Sequence, residues 1–120
     1  MEQFERSALN IAAALERVEG DRALLEELLR LFADECQASM RQIQEAWNSG
    51  DVALLGRLAH TLKGSSANVG ANGVSEAAHA LEREARSKKM ESAVKLIADL
   101  EREIERFICA LDTDFKLATD

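Results

Sequence analysis

In the stretch LAHTLKGSSANVG, residues 58–70, a histidine is followed by a lysine three positions on and a glycine four positions on: His60, Lys63 and Gly64. An exposed imidazole near its unperturbed pKa of about 6.5 is largely neutral at pH 7, and the neutral ring is a nucleophile able to accept a phosphoryl group. Residues three and four apart share a helix face, so Arg57 and Lys63 lie beside His60. Their cations would stabilise a dianionic phosphate on the ring by charge-assisted hydrogen bonds. The same face carries Gly56, Gly64 and Ala67, whose missing side chains would let another protein's active site reach the imidazole. Glycine inside a helix costs roughly 0.5–1 kcal/mol relative to alanine, and close approach to His60 is a reason for Gly64 to bear that cost.

Helices must position these groups. The third segment of helical periodicity runs from Val52 to about Asn68, and its apolar stripe of Leu55, Leu58, Leu62, Ser66 and Val69 lies opposite His60. Before it, residues 7–18 predict a short leading helix stopped at Gly20. Residues 22–48 predict the longest helix, with a stripe of Leu25, Leu28, Phe32, Cys36, Ile43 and Trp47. Asp21 and Asp51 are N-caps, and Gly20 and Gly50 are stops. Two more helices are expected over 74–86 and 91–111, GANG being a tight connection and DTDFKLATD a frayed tail. Short connections force neighbours antiparallel, so the expected fold is all-α: an up-down-up-down four-helix bundle with a short N-terminal helix, in a single domain over residues 1–120.

Composition agrees with this class. The chain of 120 residues is 47% hydrophobic with no proline, no tyrosine and 4% aromatics, a helical vocabulary. A formal net charge of −7 argues against nucleic acid or an anionic membrane as partner and points to proteins. Cys36 and Cys109 lack metal or redox spacing; reduced thiols filling core positions in a cytoplasmic compartment are expected. The start MEQFERSALN reads as neither signal peptide nor membrane span, and no apolar run reaches spanning length. GSSANVGANG has neither the order of a phosphate-binding loop nor a preceding strand, and reads as a helix end plus a turn. His79 also lies opposite its helix's stripe of Val74, Ala77, Ala78, Leu81 and Ala85, but with Glu76 and Glu82 nearby it reads as an ordinary surface residue.

AHTLKGSSANVG resembles the signature of histidine-containing phosphotransfer (HPt) domains: H-x-[LI]-K-G-[SA]-[SA], then a small residue and a glycine. The resemblance covers Leu9 to Leu111, since that family is a four-helix bundle with a short leading helix. It implies that His60 is phosphorylated, that Lys63 lies beside the phosphate, that Gly64 admits the partner and that Gly70 ends the helix. The position matching Glu82 often holds glutamine or another polar residue near the histidine. Glu82 departs from glutamine, which leaves its hydrogen bond to the imidazole open while placing it at the docking surface with Gly56, Gly64 and Ala67. The implied function is a phosphorelay: a monomeric phosphocarrier takes a phosphoryl group from a receiver-domain aspartyl phosphate and passes it to another receiver aspartate. No ATP site or cofactor is expected on this chain, and Mg²⁺ is expected on the receiver. The phosphoacceptor domain of a chemotaxis-type histidine kinase is an alternative. A metal-binding bundle is a weaker one, because Glu76-x-x-His79 is a single ExxH element whose histidine points outward.

Overall fold

The computed structural model describes residues 8–115, whose regular elements are all helical. The helices are α1 (Ile11–Arg17), α2 (Arg22–Ser49), α3 (Val52–Asn68), α4 (Asn72–Ser87) and α5 (Ala93–Ala110). A 3-10 turn, Met90–Ser92, precedes α5 and a π turn, Leu111–Phe115, follows it. Helix α3 packs most extensively on α4, α4 on α5, and α2 on both α3 and α5, which closes the ring. With connections this short, helices that lie side by side run antiparallel.

Local chemistry explains most boundaries. Asp21 and Asp51 each accept a hydrogen bond from the backbone N–H three residues on, at 3.1 Å and 3.0 Å, supplying partners for the exposed first turns of α2 and α3. Gly50 takes the left-handed conformation, φ 76°, that closes α2. Gly70 is more constrained. Its φ is 78°, and an added Cβ would meet the Asn10 carbonyl oxygen at 2.7 Å. The close approach is what lets the Asn10 N–H donate to the Gly70 carbonyl at 2.8 Å and tie the leading segment to the end of α3.

Three expected boundaries shift. The leading helix is Ile11–Arg17 rather than 7–18, because Asn10 caps it by accepting from the Ala13 N–H at 3.1 Å; position 7 lies outside the described residues. Helix α4 starts at Asn72, two residues before the expected 74, so only the first half of GANG is connection. The last helix, expected over 91–111, has an α-helical part of 93–110 between the 3-10 and π turns. The Glu84 carboxylate accepts from the Ser92 N–H at 2.7 Å at its start.

The core lies between the four long helices, with Leu25, Leu29, Ile43, Leu55, Leu62, Leu81, Leu100 and Phe107 fully enclosed. Phe107 meets Phe32 edge to face, with centroids 5.2 Å apart. The buried arc is rotated from the expected stripes: Leu29 and Ala46 are inside while Leu28 and Trp47 are partly buried, and on α3 Ala59 is inside while Leu58 is partly buried.

Cys36 fills a core position, where burial, with a smaller contribution from the nearby Glu35 carboxylate, pushes its thiol up to about 12. Cys109 does not. It is exposed on α5, two residues beyond the buried Phe107, and the core assignment for it is corrected. A water-soluble thiol reagent at pH 8 is therefore expected to label Cys109 in the native protein and Cys36 only on unfolding, giving one fast thiol and one that reacts with the unfolding rate. Mass spectrometry of the labelled peptides against time checks this.

Candidate functional site

The site starts from the register of α3 against α4. An added Cβ on Gly56 would lie 3.3 Å from the Ala85 Cβ, a tight contact, so this glycine and alanine set how closely the two helices approach. One end of the contact is pinned by a hydroxyl. Ser75 on α4 donates across to the Lys63 carbonyl at 3.2 Å, while within α3 buried Ser66 donates to the Leu62 and Lys63 carbonyls at 2.7 Å and 3.0 Å. Between these points His60 of α3 faces Glu82 of α4.

Glu82 is 3% exposed, yet it is a carboxylate. The His60 Nδ1 lies 2.8 Å from its Oε2 and the Lys63 Nζ 2.9 Å from its Oε1. The Arg86 guanidinium lies 2.8 Å from the same Oε2 that meets His60, and the His79 Nδ1 is 3.9 Å from Oε1. Burial pushes the Glu82 carboxyl up, but hydrogen bonds from Lys63 and His60 and the charges of Lys63 and Arg86 outweigh it and hold the group down at about 2. Glu82 is ionised at neutral pH.

The tautomer of His60 follows. An ionised carboxylate only accepts, so the hydrogen bond requires the proton on Nδ1 and leaves the lone pair on Nε2. The His60 side chain remains 59% exposed. The ring is thus held at one nitrogen by a buried anchor while much of it stays open to solvent, which suits a nucleophile that must meet a large partner.

The expected site residues separate into groups. His60, Lys63 and Glu82 come together in direct contact. Gly64 is exposed and a Cβ there would meet nothing within 4 Å, so no packing requirement accounts for it. Gly56 differs: it borders the surface beside His60, but the contact with Ala85 gives it a packing role that the docking assignment missed. Arg57 is exposed and lines an open groove of about 590 Å³ with Val52, Gly56, His60, Ala85, Arg86 and Lys88. Ala67 is exposed, and its carbonyl accepts from Arg17 of α1. One contribution escaped sequence reasoning. Arg86 was not singled out, although its position four residues after Glu82 on a helix was a local signal. His79, half-exposed, borders the Glu82 carboxylate. Among the described residues, no three His, Cys, Asp or Glu side chains gather as a metal-ligand set, and no helix is long and apolar enough to cross a membrane.

With this geometry in view, comparison with known proteins is decisive. The family model described as Hpt domain matches residues 27–108, a span that contains His60, Lys63, Glu82 and Arg86. The chain belongs to the Hpt domain family. Hpt domains carry out histidine phosphotransfer in two-component phosphorelays, as phosphocarriers rather than enzymes, and interact with receiver domains of response regulators. The fold is also similar to the crystal structure of histidine-containing phosphotransfer protein B from Pseudomonas aeruginosa PAO1. The TM-score is 0.85 at 25% identity over 93% of this chain and 97% of that one. A search of curated proteins finds no match in sequence.

The geometry makes two quantitative statements. Gly64→Ala should stabilise the Hpt domain by up to about 1 kcal/mol and Gly64→Gln should fold normally, whereas Gly56→Gln, forced against Ala85, should lose about 1–3 kcal/mol; denaturant unfolding separates them. The Glu82 carboxyl is depressed in the folded state, so its contribution to stability is present above its ordinary value of 4.5 and is lost as pH falls toward about 2. Glu82→Gln should flatten that acid limb of the stability curve, measured as unfolding midpoints between pH 2 and 6.

Proposed function

We propose that His60 is the phosphorylated residue and that this Hpt domain carries a phosphoryl group between receiver domains, as a monomer in the cytoplasm. The observation that carries the reading is the His60–Glu82 contact of 2.8 Å, which directs Nε2 outward as the nucleophile. The Nε2 lone pair bonds to the phosphorus of a receiver's aspartyl phosphate. The acyl oxygen–phosphorus bond breaks, and the receiver carboxylate departs with its electron pair. The reverse sequence, with a second receiver's aspartate attacking, returns the imidazole.

Phosphoryl transfer depends on in-line positioning and charge neutralisation, which divides the work between the partners. The receiver contributes Mg²⁺. The Hpt domain contributes Lys63 and Arg86, both held by the carboxylate that holds the ring, and Arg57 more peripherally from the groove. A phosphoryl group on Nε2 offers these cations a dianion to bind. Gly64 and Ala67 leave the approach low on one side of the ring and Gly56 on the other, the surface a receiver's active-site loops would cover.

His60→Gln should abolish labelling by a phosphorylated receiver, and His79→Gln should leave it intact; the label should be acid-labile and alkali-stable. Lys63→Ala and Arg86→Ala should each slow transfer about fivefold, the equivalent of roughly 1 kcal/mol for a partly exposed cation, and Arg57→Ala less. Transfer of ³²P between purified receiver and Hpt domain measures all five. Labelling that survives His60→Gln would overturn the assignment.

A further inference from the structure

The carboxylate at position 82 does more than orient the ring. We propose that Glu82 keeps the Nδ1 proton on His60 after phosphorylation, so that the phosphohistidine is held as its more reactive, ring-protonated form and the domain acts as a strong phosphoryl donor rather than a store. This rests on His60 being the phosphorylated residue.

Attack by Nε2 on phosphorus leaves a ring that bears the phosphoryl group on one nitrogen and a proton on the other, and is therefore formally cationic. Two fates follow. If the Nδ1 proton stays, the P–N bond later breaks to release a neutral imidazole, a good leaving group. If it is lost, the same bond must expel an imidazolide anion, which is far more basic. Whatever holds that proton sets how readily the phosphoryl group moves on.

The proton lies against Glu82, with Nδ1 at 2.8 Å from Oε2. Charge counting decides its fate. The groups facing the Glu82 carboxylate are Lys63 from α3 and Arg86 and His79 from α4; Arg57 of α3 and Lys88 after α4 line the groove beside the ring. In the phosphorylated state the dianionic phosphate and Glu82 carry three negative charges. Lys63 and Arg86 supply two positive charges, and a protonated ring supplies the third. Counted over the ring and the charged groups that contact Glu82, the cluster is neutral only if the proton is kept; the groove residues Arg57 and Lys88 stand outside that set. With a neutral amide at position 82, the two cations would balance the phosphate alone, and neutrality would be reached with the proton lost.

Burial gives the count its weight. Glu82 is almost wholly removed from solvent, so an unbalanced charge beside it is screened far less than on an open surface. An opposite charge within about 4 Å typically moves a titration by 1–3 pH units in the direction of the charged form. Moving Lys63 and Arg86 from Glu82 to the phosphate would strengthen the effect, because it leaves the ring proton as the carboxylate's nearest partner.

The experiment is a pH titration of the phosphorylated protein followed by ¹⁵N and ³¹P NMR, with phosphoramidate as the small-molecule phosphodonor. The reference is the phosphorylated peptide of residues 58–70, which carries the same histidine without Glu82. The ring of phospho-His60 in the folded domain should titrate at least about one pH unit above the peptide. Glu82→Gln, which keeps the side-chain volume, should bring the midpoint down by a similar amount. Transfer to a receiver at pH 8 should then fall about tenfold relative to the wild type, with little difference at pH 6. Coincident midpoints for domain and peptide would overturn the proton-retention role while leaving His60 as the acceptor. Absence of any phosphoryl group on His60 would overturn the acceptor assignment itself, and this inference with it.

Discussion

A carboxylate taken out of water must be matched by cations or it neutralises itself, and the arrangement around Glu82 follows from that constraint. The group stands on the buried face of α4 with Leu81 and Ala85, and its carboxylate lies at the seam with α3. Lys63 reaches it from α3, Arg86 from one turn along α4, and the His60 ring completes the set. Because the matched carboxylate stays ionised, it can only accept. The ring's tautomer, its orientation and the identity of its free nitrogen are consequences of that one electrostatic requirement.

The requirement is met only because α3 and α4 come close. Two small residues, Gly56 and Ala85, set the separation, and the Ser75 hydroxyl bonded to the Lys63 carbonyl holds the register. A wider spacing would leave Glu82 partnered within its own helix and His60 as a plain surface ring. The glycines on α3 thus serve opposite ends. Gly56 is constrained by what lies beneath it, while Gly64 has open space where a side chain would be. Two residues alike in sequence and on the same helix face differ in which side of the helix explains them.

An acidic chain with a net charge of −7 nevertheless gathers Arg57, Lys63, Arg86 and Lys88 around one imidazole. Average charge is therefore a poor guide to the local field. Lys63 and Arg86 are drawn in by a buried anion, and their charge is partly spent on it. That places positive potential beside the ring without a bare basic patch that would attract polyanions indiscriminately.

Much of this was legible along the chain. The helical class, the stops at Gly20 and Gly50, the aspartate caps and the outward direction of His60, with Lys63 and Gly64 near it, depend on interactions within a few residues. Periodicity and capping report those faithfully. The leading helix was read too long because the Asn10 side chain caps it later than the apolar pattern suggests. What tertiary structure alone decided lies between helices: that Glu82 is buried, that it and Arg86 stand opposite His60, that Gly56 is a packing residue, and that Cys109 is exposed while Leu29 and Ala59 are enclosed. A helix's sequence determines which residues share a face. How far that face is rotated toward its neighbour, and at what height, is settled by the fit of side chains from two elements at once. Glu82, at the edge of its buried face, is read as solvent-facing or enclosed depending on a rotation of some tens of degrees that no single helix contains.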